Sequence, residues 1–437
     1  MINAERILLL ISSTLFLSYL SDIMYNKTRI PDIVWLMVSG IVLGPLFGVF
    51  NVRIFMSIFD LMLLVTVALF SFSTGISFNA QQIFGNVNHA FTMALLTFIA
   101  VTFSVGLMLN YFLSSSFTLI TGFLLGAMVA GIDSISISSL ISSLGRENKG
   151  LGESGPFLQL ESTLSDPIKV FGVLIIIKMI LLTDASPRAA TWGILFTLIV
   201  AVLLGAGSGL IWGEIISRLR DRPLNYMMTI AVIFPLYVLS DIITEGGGGP
   251  ISVFLFGAVL MNYGYVTKLL NMNRRSRIDR RKIKEYQDEI TFLIKAMFFV
   301  YLGMVMQFQL RLIEISIVIS VMIIVVRYFV VSILGIVYGV NSKHIAYTRF
   351  FFIEGASSLV LTQFIAKYDP TGKFFTDPEL FTIMVIPIVV LSIFFSSIIA
   401  PIMATKQTTP KPEEKPIEKP VEASTEADVK KTNGKKQ

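Results

Sequence analysis

Cysteine is absent from the 437 residues, which excludes a disulfide framework, a thiolate metal site and a thiol nucleophile. Histidine occurs only as His89 and His344, so a histidine-rich metal centre is excluded too. No Walker A sequence and no GxGxxG run after a strand is present, which argues against work driven by ATP. Nothing resembles a catalytic triad either, so neither an enzyme nor a resident cofactor is expected. Charge is scarce: 15% of residues are Asp, Glu, Lys or Arg, against about 25% in an ordinary soluble domain.

Apolar residues take up the difference. They make up 54% of the chain, and the mean hydropathy is +0.76. A water-soluble protein of this composition could not cover its own surface, so lipid is the expected solvent and an all-α membrane protein the expected class. Windows of about twenty apolar residues predict about thirteen transmembrane helices. They lie near 5–24, 31–49, 55–73, 89–112, 117–140, 157–181, 190–215, 225–243, 247–263, 288–307, 312–338, 346–367 and 378–403. The run Gly246-Gly247-Gly248-Gly249-Pro250 separates the eighth from the ninth. Ile7 to Met24 lacks a small-residue cleavage site and reads as a retained span rather than a signal peptide. The transmembrane domain is expected over 1–404. Residues 405–437, rich in Pro, Lys and Glu, read as a disordered tail.

The net charge of +6 needs no nucleic-acid partner, because its basic residues gather in loops. Lys27, Arg29, Arg146, Lys149, Arg218, Arg220, Arg222, Lys343, Arg349 and a basic run from Lys268 to Lys284 fall on one side. The other side holds fewer: Arg6, Arg53, Lys178, Arg188, Arg311, Lys367 and Lys373. The richer side is expected in the cytoplasm of a plasma or inner membrane, placing the N-terminus outside and the C-terminus inside. The 268–284 segment reads as a solvated surface touching anionic lipid.

Ionisable groups within the spans are costly and therefore informative. They are Asp133 in the fifth span, Glu161, Asp166 and Lys169 in the sixth, Arg327 in the eleventh and Glu354 in the twelfth. Asp60, Lys178 and Lys295 lie nearer span ends, where they can snorkel to water. Glu161 and Asp166 stand about 7.5 Å apart along a helix and about 140° around it, so they face different neighbours. A carboxylate in a partly dehydrated cavity holds its proton more tightly than one in water, and can trade it for a metal ion near neutral pH. That exchange at one group is a sufficient chemical basis for antiport. Pro167 is expected to bend the sixth span beside it. Small polar runs at Gly131–Ser136 and Gly355–Ser358 point to unwound helices lining a cavity. Ser136, Ser138 and Ser139 read as helix packing, as do Gly40, Gly44 and Gly48.

Five segments then resemble one family in the right order. Ile30-Pro31 with Gly40-Ile41-Val42-Leu43-Gly44-Pro45 is similar to a P…GIxLGP segment, and GIDSISISSLI from Gly131 to TDPVAVxxLL. ESTLSDP from Glu161 to Pro167 resembles ESxxND. GGGGPISVFLFGAVLMN from Gly246 resembles SGxLAVFxAGLxLGN, and FFVYLGM from Phe298 to Met304 resembles FFxxxGL. Over about residues 5–403 the chain resembles the monovalent cation/proton antiporter superfamily, nearest its NhaP- and NHE-type sodium/proton exchangers.

The resemblance implies inverted repeats with two broken, crossing helices, the fifth and twelfth spans. It implies a moving core over 89–181 and 312–403, a scaffold over 5–73 and 190–307, a homodimer in lipid, and alternating access. The expected activity is exchange of Na⁺, or another monovalent cation, for H⁺. Potassium/proton exchange and a transport-inactive regulatory paralogue are the alternatives. By the same resemblance Asp166 is the group alternately protonated and cation-bound, and Ser162 contributes a hydroxyl to the ion site. Glu161 pairs with Arg327, and Asp133 balances the positive half-helix ends. Four positions depart from the pattern. Ser165 replaces Asn, which favours electroneutral exchange; Ile132 replaces Thr, leaving only a backbone carbonyl for the ion. Glu354 stands where an arginine is usual, and Lys169 where a small apolar residue is. Lys169 is expected to pair either with Glu354 or, at i,i+3 spacing, with Asp166.

Overall fold

In a hydrocarbon solvent each backbone N–H and C=O must find its partner within the chain, and helices do this locally. The computed structural model of the protein describes residues 4–28, 32–48, 52–78, 87–144, 149–182, 187–219, 225–272, 278–305, 309–338, 347–369, 371–375, 377–399 and 402. The expected tail, Ile30-Pro31, the centre of the basic loop, and the side chains of Asp60 and Ser139 lie outside them. Among the described residues there is no strand.

The chain opens with α1 (Ala4–Thr28), α2 (Asp32–Ile41), α3 (Val52–Ser77) and α4 (Val87–Phe112). Two half-helices, α5 (Leu119–Met128) and α6 (Ser134–Leu144), precede α7 (Lys149–Leu181) and α8 (Pro187–Arg218). Next come α9 (Asn225–Ile243), α10 (Gly248–Met261), α11 (Tyr263–Leu269), α12 (Arg280–Val305) and α13 (Leu310–Tyr338). The half-helix α14 (Ala356–Tyr368) and α15 (Glu379–Phe394) complete the fold. Asn88–Phe112, Thr191–Arg218, Leu310–Tyr338 and Glu379–Ile399 are each long and apolar enough to cross a bilayer unaided. The chain is a multi-pass membrane protein, and each expected span overlaps one described helix or one broken pair.

Several boundaries differ from expectation for local reasons. The helix expected from 288 begins at Arg280, because Asp279 Oδ1 accepts the backbone N–H of Arg281 at 3.1 Å and so caps it. An Arg281–Glu285 pair at i,i+4 spacing supports the added turns. The helix α7 runs through both Pro156 and Pro167 without a break. Gly246 and Gly247 take φ of +98° and +85°, which turns the chain between α9 and α10. Gly40 does belong to a close packing face: a Cβ there would lie 2.1 Å from the Val300 carbonyl oxygen of α12. Gly48 does not, having open space around it and φ of +60°.

Packing divides the helices into two sets. One is α1 to α3 and α8 to α12, with α10 wedged against α3 and α8, and α2 against α12. The other is α4 to α7 with α13, α14 and α15. The helices α3, α8 and α10 touch α7, and α3 also touches α14, along the seam between the sets.

Candidate functional site

Two helices stop in the middle of the second set. After α5 the helix is interrupted over Val129–Asp133 before α6 begins, and residues 351–355 are likewise non-helical before α14. The two irregular stretches pass one another and bond: the Asp133 N–H donates to the Ile353 carbonyl at 2.9 Å. Each stretch leaves backbone groups that need side-chain partners, because neither has a complete helical ladder.

Asp133 supplies several of these partners. Its Oδ2 accepts the Ser136 N–H at 2.8 Å, capping α6. Its Oδ1 accepts the Ser357 hydroxyl at 2.9 Å and the Ser357 N–H at 3.3 Å, in the first turn of α14. One carboxylate thus serves the positive ends of both half-helices. Gly355 makes the approach possible, since a Cβ there would fall 2.5 Å from Asp133 Oδ2.

Glu354 works the same crossing from the other stretch. Its Oε1 accepts the Gly131 N–H at 3.0 Å, and its Oε2 sits 2.8 Å from Lys169 Nζ. Ser358 donates a short hydrogen bond to the same Oε2 and accepts one from Lys169 Nζ at 3.1 Å. Lys169 and Glu354 have no solvent exposure, so each charge depends on the other. Of the two pairings open to Lys169, the structure contains the one with Glu354. A second buried pair lies further along α7, where Arg327 holds Glu161 by two parallel bonds of 2.8 and 3.0 Å. Arg327 also donates to the Thr348 carbonyl at 3.0 Å, tying α13 to the approach of α14.

Asp166 is buried at the crossing, 2% exposed, and its partners are neutral. Oδ2 accepts the Ser134 hydroxyl at 2.5 Å and the Ser134 N–H at 3.1 Å; Oδ1 accepts the Ser357 hydroxyl at 3.3 Å. No Lys, Arg or His among the described residues makes a salt bridge to it. The expected site residues gather unequally around this carboxylate. Ser165 lies at the crossing, where its hydroxyl accepts the Ile132 N–H at 3.1 Å. Ser162 is buried, but its hydroxyl donates to the Gln159 carbonyl of its own helix at 2.9 Å. Ser134 and Ser357, the hydroxyls that do reach Asp166, had no signal of their own in a serine-rich stretch. Ser138, read as packing, donates to Gln159 Oε1 at 2.8 Å and lines a cavity.

That cavity, of about 660 Å³, extends from Arg280 and Lys284 at the start of α12 to Ser134. Asp288, Lys295, Gln159 and Ser138 also line it. Asp166 itself borders a far smaller, mostly apolar space, shared with Phe70, Phe171, Phe254 and Ser357. Beyond it, at the other end of α14, Lys367 binds Asp241 Oδ2 of α9 at 2.8 Å. Lys367 also donates to the Tyr237 hydroxyl and lies over the Tyr237 ring, 4.4 Å from its centroid.

Comparison with known proteins agrees with this architecture. The Na(+)/H(+) antiporter ApNhaP of Aphanothece halophytica is 27% identical over 309 residues, covering 69% of this chain and 54% of that protein. The chain therefore spans about half the length of that relative. The Probable Na(+)/H(+) antiporter 2 of Methanocaldococcus jannaschii is 25% identical over 307 residues, or 66% of this chain and 69% of its own. Among solved structures, the sodium proton antiporter MjNhaP1 from Methanocaldococcus jannaschii at pH 8 superposes with a TM-score of 0.73 at 19% identity. The match covers 91% of this chain and 97% of that one, and shows that the two share a fold. Residues 11–405 match the family described as sodium/hydrogen exchanger, transmembrane. With its helical fold and paired broken helices, this chain belongs to the transmembrane sodium/hydrogen exchanger family.

Proposed function

We propose that the protein exchanges a monovalent cation, Na⁺ in the first instance, for H⁺ by alternating access, with Asp166 as the group that carries each in turn. The observation that carries this reading is the charge balance at the crossing. Glu161 is neutralised by Arg327, Glu354 by Lys169, and Asp133 is spread over two half-helix ends. Asp166 receives only hydroxyl and N–H donors. A proton or a cation completes its charge, and the two compete because they bind the same oxygens. Sodium is named because the relatives above carry it in their names.

The inverted charge at Glu354 is met by Lys169 within the same helix set, which leaves Asp166 available and favours an active exchanger over a regulatory paralogue. One-for-one exchange follows from a single carboxylate carrying either ion. In this reading the set formed by 89–181 and 312–403 moves as a core against a scaffold of 5–73 and 190–307, in a homodimer. The cavity beginning at Arg280 and Lys284 faces the cytoplasm, where the basic loops and the C-terminal tail lie.

Reconstitution tests it directly. Proteoliposomes carrying an internal pH dye should respond to Na⁺ pulses with the wild type and give no response with Asp166→Asn. Parallel K⁺ and Li⁺ pulses identify the ion. Silence of well-folded wild type toward every cation across a broad pH range would favour the regulatory paralogue instead.

A further inference from the structure

Among the described residues, Ser134 both lines the large cavity and bonds the Asp166 carboxylate. Its residue lines the cavity, whereas Asp166 does not. Its hydroxyl and its backbone N–H both reach the same oxygen, Asp166 Oδ2, at 2.5 and 3.1 Å. It also begins α6, so the hydroxyl sits in the first turn of a half-helix on a short side chain. Ser134 thus links the cavity lining to Oδ2 by a single hydrogen bond.

From this geometry we infer that the Ser134 hydroxyl is a direct ligand of the transported cation when the site opens to the cavity. The inference rests on the reading of Asp166 as the exchanging group. A hydroxyl carries one donor and two acceptor lone pairs. When Asp166 is ionised, the Ser134 hydroxyl donates a hydrogen bond to Oδ2, as it does in the structure. A cation arriving from the cavity binds Oδ2 and takes a lone pair of Ser134 Oγ, while the backbone N–H keeps its own bond to the carboxylate. When a proton arrives instead, it sits on the carboxyl, the cation leaves to solvent, and Ser134 accepts rather than donates. No bond of the serine breaks, and the proton and cation are the only species exchanged. The inference also accounts for Ser162, whose hydroxyl is turned into its own helix and takes no part at Asp166.

The test measures cation-dependent proton flux in proteoliposomes for the full chain, at saturating and limiting cation. Loss of one hydroxyl ligand in Ser134→Ala is expected to raise the cation KM about tenfold. The maximal rate should stay within about twofold, and Ser134→Thr, which keeps the hydroxyl, should restore the KM. Ser134→Cys supplies a second arm, because it replaces a hard oxygen with soft sulfur at nearly constant size. It should weaken Na⁺ more than Tl⁺ and so shift the selectivity ratio toward Tl⁺. A KM for Ser134→Ala within twofold of wild type overturns the inference, as does a fall in maximal rate alone. If Ser134→Ala fails to fold, an unchanged Na⁺/Tl⁺ ratio in Ser134→Cys overturns it equally. Exchange that survives in Asp166→Asn would instead overturn the reading of Asp166, so the two failures are distinguishable.

Discussion

Lys169 and Glu354 are each worth more as a pair than either is alone. Removing one partner of a fully buried ion pair leaves an uncompensated charge, at a cost of about 3–5 kcal/mol. Replacing both with apolar or neutral groups of similar size is far milder. Lys169→Met and Glu354→Gln should therefore each lower the thermal unfolding midpoint sharply, while the double variant regains much of the loss. Thermal unfolding of all four proteins in detergent measures this coupling; additive losses would mean the two charges are independent. The residues that were legible in the sequence are those whose type alone carries a cost in lipid. Asp133, Glu161, Asp166, Lys169, Arg327 and Glu354 all come together at or beside the crossing for that reason. The hydroxyls were not legible in the same way. A serine is inexpensive anywhere in a helix because it can bond back to a carbonyl one turn earlier, as Ser162 does. Only the crossing distinguishes Ser134 and Ser357 from the other serines around them.

Among the elements, hydrophobic windows locate helices well because lipid imposes one periodicity-free demand, an apolar length. They locate ends poorly, since ends depend on caps and on solvent. The early start of α12 comes from the Asp279 cap, which no apolar window registers. The breaks at 129–133 and 351–355 lie beside or within the small polar runs that signalled them, but the hydrogen bonds that hold them include some from residues more than 200 positions away in sequence. At the far end of α14, Lys367 clasps Asp241 and Tyr237 of α9, joining helices from the two packing sets. In the proposed alternating-access cycle α14 moves against α9, and this clasp would then open once per cycle. The chain lacks native cysteine, and Asp241→Cys with Lys367→Cys gives a unique pair for a short thiol-specific linker. Linking them should stop exchange, and reductive cleavage of the linker should restore it. Undiminished flux in the linked protein would place the moving boundary elsewhere.

At the scale of the whole molecule, access to the crossing is lopsided. One side offers a cavity of about 660 Å³, and the other a cramped apolar space bounded by Phe70, Phe171 and Phe254 and, further out, the Lys367 clasp. The wider side is also an unusual entrance for a cation. Among the described residues, Arg280, Lys284 and Lys295 line it against one carboxylate, Asp288, and Lys295 is engaged with Asp32 at 2.6 Å. Such a rim would repel the cation of the proposed exchange, and repulsion between solvated charges fades as the screening length shortens from about 30 Å at 0.01 M salt to about 8 Å at 0.15 M. Raising ionic strength on that side with an impermeant salt should lower the apparent KM for the cation, and Arg280→Gln with Lys284→Gln should flatten the response. A KM independent of ionic strength in the wild type would show that the rim does not govern entry. With this rim, the protein would respond to total salinity as well as to its own substrate. A cell losing water concentrates every electrolyte at once, and the exchanger would quicken with the shrinkage itself, before any one ion had become abundant.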